Sequence, residues 1–245
     1  MLFFESDGRR LAYEDLGDGP SLILVHGWGA AGWEWRQEGW VDSLSKDRRL
    51  LIPDILGHGA SAKPHDLAPY ATERLGRDMV ALMDATGVRQ ADIAGYSMGA
   101  SVALAAVVAG PDRFRALVAG GIPPHDPTDR VDMARSLRGQ GPVSDRALSY
   151  RDWAARWPDN DMQALTCCME AGCTPPDCSE LSLFGGEALI VAGSRDWRRE
   201  VTERIAGCLP GGRFLAIEGT DHMGTFHDVR FKAAVAAFLN EVSPA

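Results

Sequence analysis

The stretch Gly95-Tyr96-Ser97-Met98-Gly99 places a serine between two glycines. Residues 90–94 before it have the composition of a short strand. Residues 100–109 after it are almost all alanine and valine, with no helix breaker. We therefore expect a tight strand-to-helix turn, in which glycine leaves room for the neighbouring strand and helix. The first N–H groups of that helix would stabilise negative charge beside the serine hydroxyl. The pattern predicts Ser97 as a nucleophile.

Length and composition indicate a single globular unit. The chain has 245 residues, 45% of them hydrophobic and 24% charged, which suits one large α/β domain with or without an insertion. A net charge of -9 disfavours nucleic acid or an anionic membrane as the main partner. No apolar run is long enough to span a bilayer, and the first residues lack a signal-peptide pattern. We expect a cytoplasmic protein that binds a small-molecule substrate.

The cysteines do not have the spacing of a metal site. Four of the five fall within residues 167–178, at Cys167, Cys168, Cys173 and Cys178. Zinc sites favour paired C-x2-C motifs, which are missing here. We expect reduced thiols that pack as small hydrophobic groups and no bound metal, with a redox-sensitive disulfide as the alternative.

Strand and helix patterns alternate over residues 1–122 and again over 187–245. Residues 123–186 between them carry short helical patterns, at 131–137, 145–157 and 161–171, and no convincing strand. We predict a doubly wound α/β domain with a mostly parallel sheet, interrupted by a helical cap at 123–186. The insertion would lie over the edge where such sheets bind ligands.

A serine nucleophile needs a base, and the base needs an acid to orient it. Asp196 follows a predicted strand at 188–192, and His222 follows another at 213–217. Loops after neighbouring parallel strands converge on one edge of the sheet, so both would meet Ser97 there. Asp196 has an alternative role as a helix cap. Asp126 and Asp221 are rival acids.

The negative charge formed during acyl transfer requires two backbone N–H donors. Met98, at the start of the helix, would supply one. The loop His26-Gly27-Trp28-Gly29 follows a buried strand at 21–25, and Trp28 N–H is the candidate for the other. Glycine on both sides of Trp28 would permit close approach to a substrate. We interpret His26 as a structural brace, and the Trp28 side chain as a possible wall of the acyl pocket.

In these motifs the chain resembles the α/β-hydrolase superfamily over nearly its whole length. The oxyanion loop at 26–29, the turn D-x-x-G-H-G-x-S at 54–61, the elbow at 95–99, the acid loop at 193–196 and the histidine loop at 221–222 occur in the family's order. The resemblance implies the triad Ser97, Asp196 and His222, the oxyanion donors Trp28 and Met98, and no cofactor. Ala100 departs from the glycine that many relatives carry.

The serine disfavours the dehalogenases and epoxide hydrolases of this family, which use an aspartate. We expect a carboxylesterase acting on a small to medium ester or lactone. A C–C bond hydrolase, a perhydrolase and a non-catalytic ligand receptor remain alternatives. An apolar pocket is hypothesised from Trp33, Trp35, Trp153, Trp157 and Met162, for which ordinary packing is the alternative. Cap residues Arg135, Arg138 and Arg151 would either bind a substrate carboxylate or lie on a solvated helix face.

Overall fold

The computed structural model describes residues 1–123, 127–141 and 143–244. Eight strands form one sheet: β1 Leu2–Ser6, β2 Arg9–Leu16, β3 Ser21–Val25, β4 Arg49–Pro53, β5 Ala91–Tyr96, β6 Phe114–Gly120, β7 Glu187–Gly193 and β8 Gly211–Ile217. Their order in space is β1-β2-β4-β3-β5-β6-β7-β8. The β1–β2 and β2–β4 pairs are antiparallel and the other pairs are parallel. The predicted doubly wound, mostly parallel sheet is confirmed.

Eleven α-helices connect the strands within the described part of the chain. They are α1 Trp33–Gln37, α2 Trp40–Leu44, α3 Thr72–Ala85, α4 Met98–Ala109, α5 Pro127–Leu137, α6 Asp145–Ala154, α7 Met162–Ala171, α8 Cys178–Leu181, α9 Arg199–Cys208, α10 His222–His227 and α11 Val229–Val242. Residues 33–44 form two short helices, α1 and α2, rather than one. Gly39 separates them with φ +74°, a left-handed conformation that ends α1 and that glycine adopts without strain.

Side chains of the central strands alternate between two hydrophobic cores. Ile23 and Val25 point into a core that also contains residues of α3, α4 and α9. Leu22 and Leu24 point into a second core, with residues of α1, α2 and α11. This period of two explains why β3 appears in the sequence as an unbroken apolar run: both faces of the strand are buried.

Strand β1 was not predicted from the sequence. Only Phe4 and Ser6 of its five residues are buried. The strand lies at the edge of the sheet, where one neighbour and one covered face suffice. Because of this edge position, few residues of β1 need to be apolar, and the sequence therefore gives little indication of the strand.

Helices α5 to α8 lie between β6 and β7 in the chain, and no strand occurs in the described residues of this segment. Contacts hold the segment against the loop after β3. The Trp153 indole N–H donates to the carbonyl of Trp28 at 3.3 Å, and the Asn160 amide donates to the carbonyl of Gly29 at 2.9 Å. This placement agrees with a cap over the sheet edge, although the boundaries 1–122, 123–186 and 187–245 stay a prediction.

The cysteines differ in part from the expectation. Cys167, Cys168 and Cys173 are buried free thiols, as predicted for small hydrophobic groups. Cys178 instead forms a disulfide with Cys208, whose Cα lies 4.8 Å away. Helices α8 and α9 pack together and bring these residues into contact, which sequence spacing does not reveal. Among the described helices, none is long and apolar enough to cross a membrane.

Candidate active site

Ser97 occupies the turn between β5 and α4. Its backbone has φ +55° and ψ −121°, a strained conformation for a residue with a side chain. A Cβ on Gly95 would lie 2.1 Å from the carbonyl oxygen of Gly99, and one on Gly99 would lie 2.1 Å from that of Val25. Both glycines are therefore required for the turn to pack against its neighbours, as the motif predicts.

The turn lies where the order of the sheet reverses. Strands β3 and β5 are neighbours in space, but the chain forms β4 between them, on the far side of β3. Ligands bind at such a switch point, beyond the carboxyl ends of the strands. The loops after β3 and β5 both open onto it, and these loops carry Trp28 and Ser97.

Asp196 and His222 form a hydrogen-bonded pair beside this turn. His222 Nδ1 lies 2.9 Å from Asp196 Oδ2, and the Asp196 side chain is fully buried. An ionised carboxylate only accepts hydrogen bonds, so the pair assigns the proton to Nδ1 and leaves Nε2 as the basic nitrogen. The other Asp196 oxygen, Oδ1, accepts the backbone N–H of Arg198 at 3.0 Å. The same side chain thus orients the histidine and caps the turn before α9.

Tyr96, the last residue of β5, and Gly121, which follows β6, hold His222 in place. The Tyr96 hydroxyl donates to the carbonyl of His222 at 2.5 Å, and the two rings are 5.1 Å apart. Gly121 has φ +58°, and a Cβ there would lie 2.7 Å from His222 Cε1. Glycine at position 121 therefore makes room for the imidazole.

Burial decides the protonation state of His222. It lowers the pKa of the imidazole below its usual value of 6.5, and the hydrogen bond to Asp196 offsets only part of that effect. Burial alone would raise the pKa of Asp196, but the hydrogen bond from His222 and the positive charge of Arg198 hold it below its usual value of 3.8. At neutral pH the pair is an ionised acid and a neutral base.

The predicted oxyanion donors lie on either side of Ser97. Met98 is the first residue of α4, so its N–H has no acceptor within the helix. A Cβ on Gly27 would lie 3.7 Å from the Cβ of Ser97, which brings the Trp28 loop against the elbow. The Trp28 indole N–H donates to the carbonyl of Leu165 at 3.0 Å, and this bond fixes the side chain against the cap.

His26 is placed as a brace. It is fully buried, its Nε2 accepts the N–H of Ile55 at 2.9 Å, and its Nδ1 lies 2.8 Å from the carbonyl of Gly27. Burial lowers its pKa to about 4. The imidazole is therefore neutral and joins the loop after β3 to the turn that begins at Asp54.

Ser97 lies between two cavities, which we call the large and the small cavity. The large cavity has a volume of about 570 Å³ and is lined by His222, Glu34, Tyr96, Trp153, Trp197 and Phe226 among others. The small cavity has a volume of about 80 Å³ and is lined by Met98, Arg130, Met133, Cys168 and Met169 among others. Both are also lined by Trp28, Arg146, Tyr150 and Arg198. Ser97 thus faces a wide space on the His222 side and a narrow one under the cap.

The hypothesised apolar pocket needs correction. Of its five residues only Trp153 lines the large cavity. Trp33 and Trp157 stack on each other with ring centroids 3.7 Å apart, and Met162 packs against the core. Trp35 is 2% exposed and lies in the second core. Helical spacing indicated apolar faces but not which of them would be covered by other side chains.

The cap arginines also differ from the expectation. Arg138 pairs with Glu170, and Arg151 contacts Asp152 on the surface. Arg135 faces another cavity, away from Ser97. The cavities at Ser97 are instead lined by Arg130, Arg146, Arg156 and Arg198, which sequence reasoning did not select. Arg198 could have been identified from the sequence, because it lies two residues after the predicted acid, Asp196.

Glu34 is a second residue that sequence reasoning missed. It lies in the first turn of α1, is 8% exposed and lines the large cavity. Burial raises its pKa to about 7, although a hydrogen bond with the backbone of Gly27 acts in the opposite direction. The sequence offered one signal for Glu34, which is that this acidic residue stands between two large apolar ones, Trp33 and Trp35.

The rival acids are placed as follows. Asp221 is exposed and caps α10, where its Oδ1 accepts the N–H of Gly224 at 2.8 Å. Asp126 lies outside the described residues. No group of three or more His, Cys, Asp or Glu side chains in the described part of the chain is arranged to hold a metal ion.

Comparison with known proteins gives a family and several relatives. Residues 20–173 match the family model described as the alpha/beta hydrolase fold. A 2-hydroxymuconate semialdehyde hydrolase from Pseudomonas putida is 36% identical over 111 residues, which are 45% of this chain and 39% of that protein. The matched segment thus spans about two-fifths of the length of this relative.

Solved structures agree over almost the full chain. A hydrolase from Pseudomonas aeruginosa PA01 has a TM-score of 0.84 at 24% identity, covering 97% of both chains. An enol-lactonase from Burkholderia xenovorans LB400 has a TM-score of 0.83 at 22% identity, covering 98% of this chain and 100% of its own. At these identities the likeness establishes the fold. With the family match over more than half of its length, this chain belongs to the α/β-hydrolase family.

Proposed function

We propose that this hydrolase cleaves a small to medium carboxylic ester or lactone through an acyl-enzyme on Ser97. The observation that carries the proposal is the Asp196–His222 hydrogen bond of 2.9 Å in a site that opens onto Ser97. Ser97 is the nucleophile, His222 the general base and acid, and Asp196 the group that orients it. The N–H groups of Trp28 and Met98 stabilise the oxyanion.

The reaction has two balanced halves. Ser97 Oγ bonds to the carbonyl carbon, and its proton passes to His222 Nε2. The bond from that carbon to the leaving oxygen then breaks, and the alcohol leaves with the proton. A water molecule gives its proton to His222 and attacks the acyl carbon in the same way. Ser97 takes the proton back, and a carboxylic acid is released.

Three features support a base that works at neutral pH. His222 has a lowered pKa and is therefore unprotonated, Asp196 fixes the tautomer, and the strained elbow presents Ser97 to both cavities. A serine at the elbow disfavours the route through an aspartyl ester, because that route needs a carboxylate in the same position.

C–C bond hydrolysis is the second candidate function. The 36% identical relative is a 2-hydroxymuconate semialdehyde hydrolase, and this similarity favours the candidate. The same triad would serve, since a stabilised carbanion can leave in place of an alkoxide. The test is to follow the loss of absorbance of a 2-hydroxy-6-oxo-dienoate in the presence of the protein, and to compare kcat/KM for this substrate with kcat/KM for an ester. A higher value for the dienoate would favour C–C cleavage over ester cleavage.

The test is turnover of p-nitrophenyl esters from acetate to laurate by the wild type and by Ser97→Ala. We expect multiple turnovers in the wild type and their loss in the variant, with the preferred chain length reporting the size of the pocket. A fluorophosphonate should label Ser97. Turnover that survives Ser97→Ala would overturn the proposal, because it would place the chemistry on another residue. A protein that neither turns over nor is labelled would overturn it too and would favour the ligand-receptor alternative.

A further inference from the structure

The small cavity has an unusual charge for this chain. Three arginines line it, namely Arg130, Arg146 and Arg198, and its described lining residues include no aspartate or glutamate. The whole chain carries a net charge of -9, with 25 lysines and arginines against 34 aspartates and glutamates. Guanidinium groups gathered at one cavity favour an anionic ligand there.

Arg198 supplies the strongest observation. It is 5% exposed, and its Nε is buried without a hydrogen-bond partner. Its Nη2 donates to the Tyr150 hydroxyl at 3.1 Å, and its Nη1 lies 3.6 Å from Asp196 Oδ1. Asp196 already accepts hydrogen bonds from His222 and from the backbone of Arg198. A buried donor left without an acceptor is unfavourable, so an acceptor in the cavity would remove that penalty.

Arg146 reaches the same place from the cap. The guanidinium carbons of Arg146 and Arg198 lie 4.8 Å and 4.4 Å from the ring centroid of Trp197, so they are at most about 9 Å apart. Arg130 enters from α5 and also donates to the Thr174 hydroxyl at 2.6 Å. The arginines come from α5, from α6 and from the loop before α9, and these elements meet at Ser97.

The positions of the two cavities assign parts of the substrate to them. The general acid must reach the leaving oxygen, and His222 lines the large cavity but is not among the lining residues of the small one. The leaving alcohol therefore belongs in the large cavity. The small cavity, next to Met98, receives the acyl part. Its volume of about 80 Å³ leaves room for a small polar group such as a carboxylate.

We propose that the small cavity is a subsite for a carboxylate on the acyl part of the substrate, recognised by Arg198 and Arg146 with Arg130 beside them. Guanidinium groups bind carboxylates with charge-assisted and often bidentate hydrogen bonds. The substrate class is then the half-ester, or the corresponding carboxylated lactone, of a short dicarboxylic acid. This inference rests on the proposed acyl transfer at Ser97, which it deepens by naming the substrate.

The first test compares two esters that differ in charge but hardly in shape: monomethyl succinate and methyl succinamate. Acid release is followed in a pH-stat. We expect the wild type to prefer the charged ester by about 10- to 100-fold in kcat/KM, the range for a hydrogen bond to a charged group. Arg146→Gln and Arg198→Gln should each lower this ratio at least several-fold. Arg151→Gln, on the same helix as Arg146 but not among the residues that line either cavity, is the matched control and should keep it.

The ratio is the readout because Arg198 also contacts Asp196. If Arg198→Gln lowers kcat for both esters equally, the loss reflects the missing contact with Asp196. The ratio of kcat/KM between the two esters then still measures recognition of the carboxylate. Arg146→Gln keeps the contact of Arg198 with Asp196, so this variant provides the test if Arg198→Gln does not fold. A wild-type ratio near one, or a ratio that neither arginine variant changes, overturns the inference.

Direct binding separates this inference from the proposed function. Calorimetric titration with succinate should show binding to the wild type, with affinity reduced about tenfold or more in Arg146→Gln and kept in Arg151→Gln. If Ser97 is labelled by a fluorophosphonate and p-nitrophenyl acetate is hydrolysed, but succinate does not bind, the carboxylate subsite is refuted and the hydrolase proposal stands. If succinate binds through Arg146 while neither labelling nor turnover occurs, the subsite stands and the hydrolase proposal fails.

Discussion

Glu34 makes the stability of this protein depend on pH in a specific window. Its carboxyl is 8% exposed, and burial is the main reason that its pKa rises from an ordinary value of 4.5 to about 7. The folded protein therefore holds this proton at pH values where the unfolded chain has already lost it. Stability falls with rising pH wherever the folded state binds more protons.

The size of the effect follows from the displacement of the pKa. Raising it from 4.5 to about 7 corresponds to about 3 kcal/mol of unfolding free energy. The contribution is fully present below pH 4.5, declines as the pH rises towards 7, and is absent above that. Glu34→Gln keeps the shape of the side chain and removes the ionisation. We expect it to be more stable than the wild type by about 3 kcal/mol at pH 8, and by much less at pH 4.5.

The assay is urea unfolding of both proteins at a series of pH values from 4.5 to 8. Glu73→Gln is the control, because Glu73 lies in the first turn of α3 as Glu34 does in α1, but is exposed. Its stability difference from the wild type should stay within about 0.5 kcal/mol throughout. A Glu34→Gln advantage that does not grow between pH 5 and 7 would refute the assignment of a buried, reluctantly ionised carboxyl.

Three further predictions concern the triad. Because burial lowers the pKa of His222, kcat/KM should fall on the acid side with a midpoint below 6.5, and a midpoint above 6.5 would contradict this. Asp196→Asn should reduce kcat by about 10³- to 10⁴-fold, since the amide no longer fixes the tautomer of His222. A loss below tenfold would point to Asp126 as the acid. Gly121→Ala should lower kcat/KM by about 100-fold by displacing His222. Gly87 also has a positive φ, of +69°, but a Cβ there would meet no atom within 4 Å, so Gly87→Ala should lose stability alone. Steady-state kinetics and thermal unfolding of both glycine variants check this.

The sequence predicted the central part of the fold because its signals are local. The buried strand β3 is an apolar run after its first residue, and Gly95 and Gly99 mark a turn that only glycine can form. The order of Asp196 and His222 after successive strands placed them at one sheet edge, where the structure brings them together. These inferences need only the periodicity of strands and the direction of a parallel sheet.

What the sequence did not predict depends on contacts between distant segments. Trp33 and Trp157 have the composition of a pocket, but they stack on each other across more than 100 residues of chain. The pairing of Cys178 with Cys208 and the approach of Arg146 to Arg198 arise only when helices pack. Periodicity shows which face of a helix is apolar or charged, and packing decides what that face meets.

The most direct test of the triad is to trap the acyl-enzyme. The wild type is mixed with p-nitrophenyl acetate, quenched in acid during turnover, digested and analysed by mass spectrometry. We predict an acetyl group on the peptide that contains Ser97, and its absence in Ser97→Ala. Rapid turnover without an acetylated Ser97, or an acetyl group found instead on another residue such as Cys168, would contradict acyl transfer through Ser97.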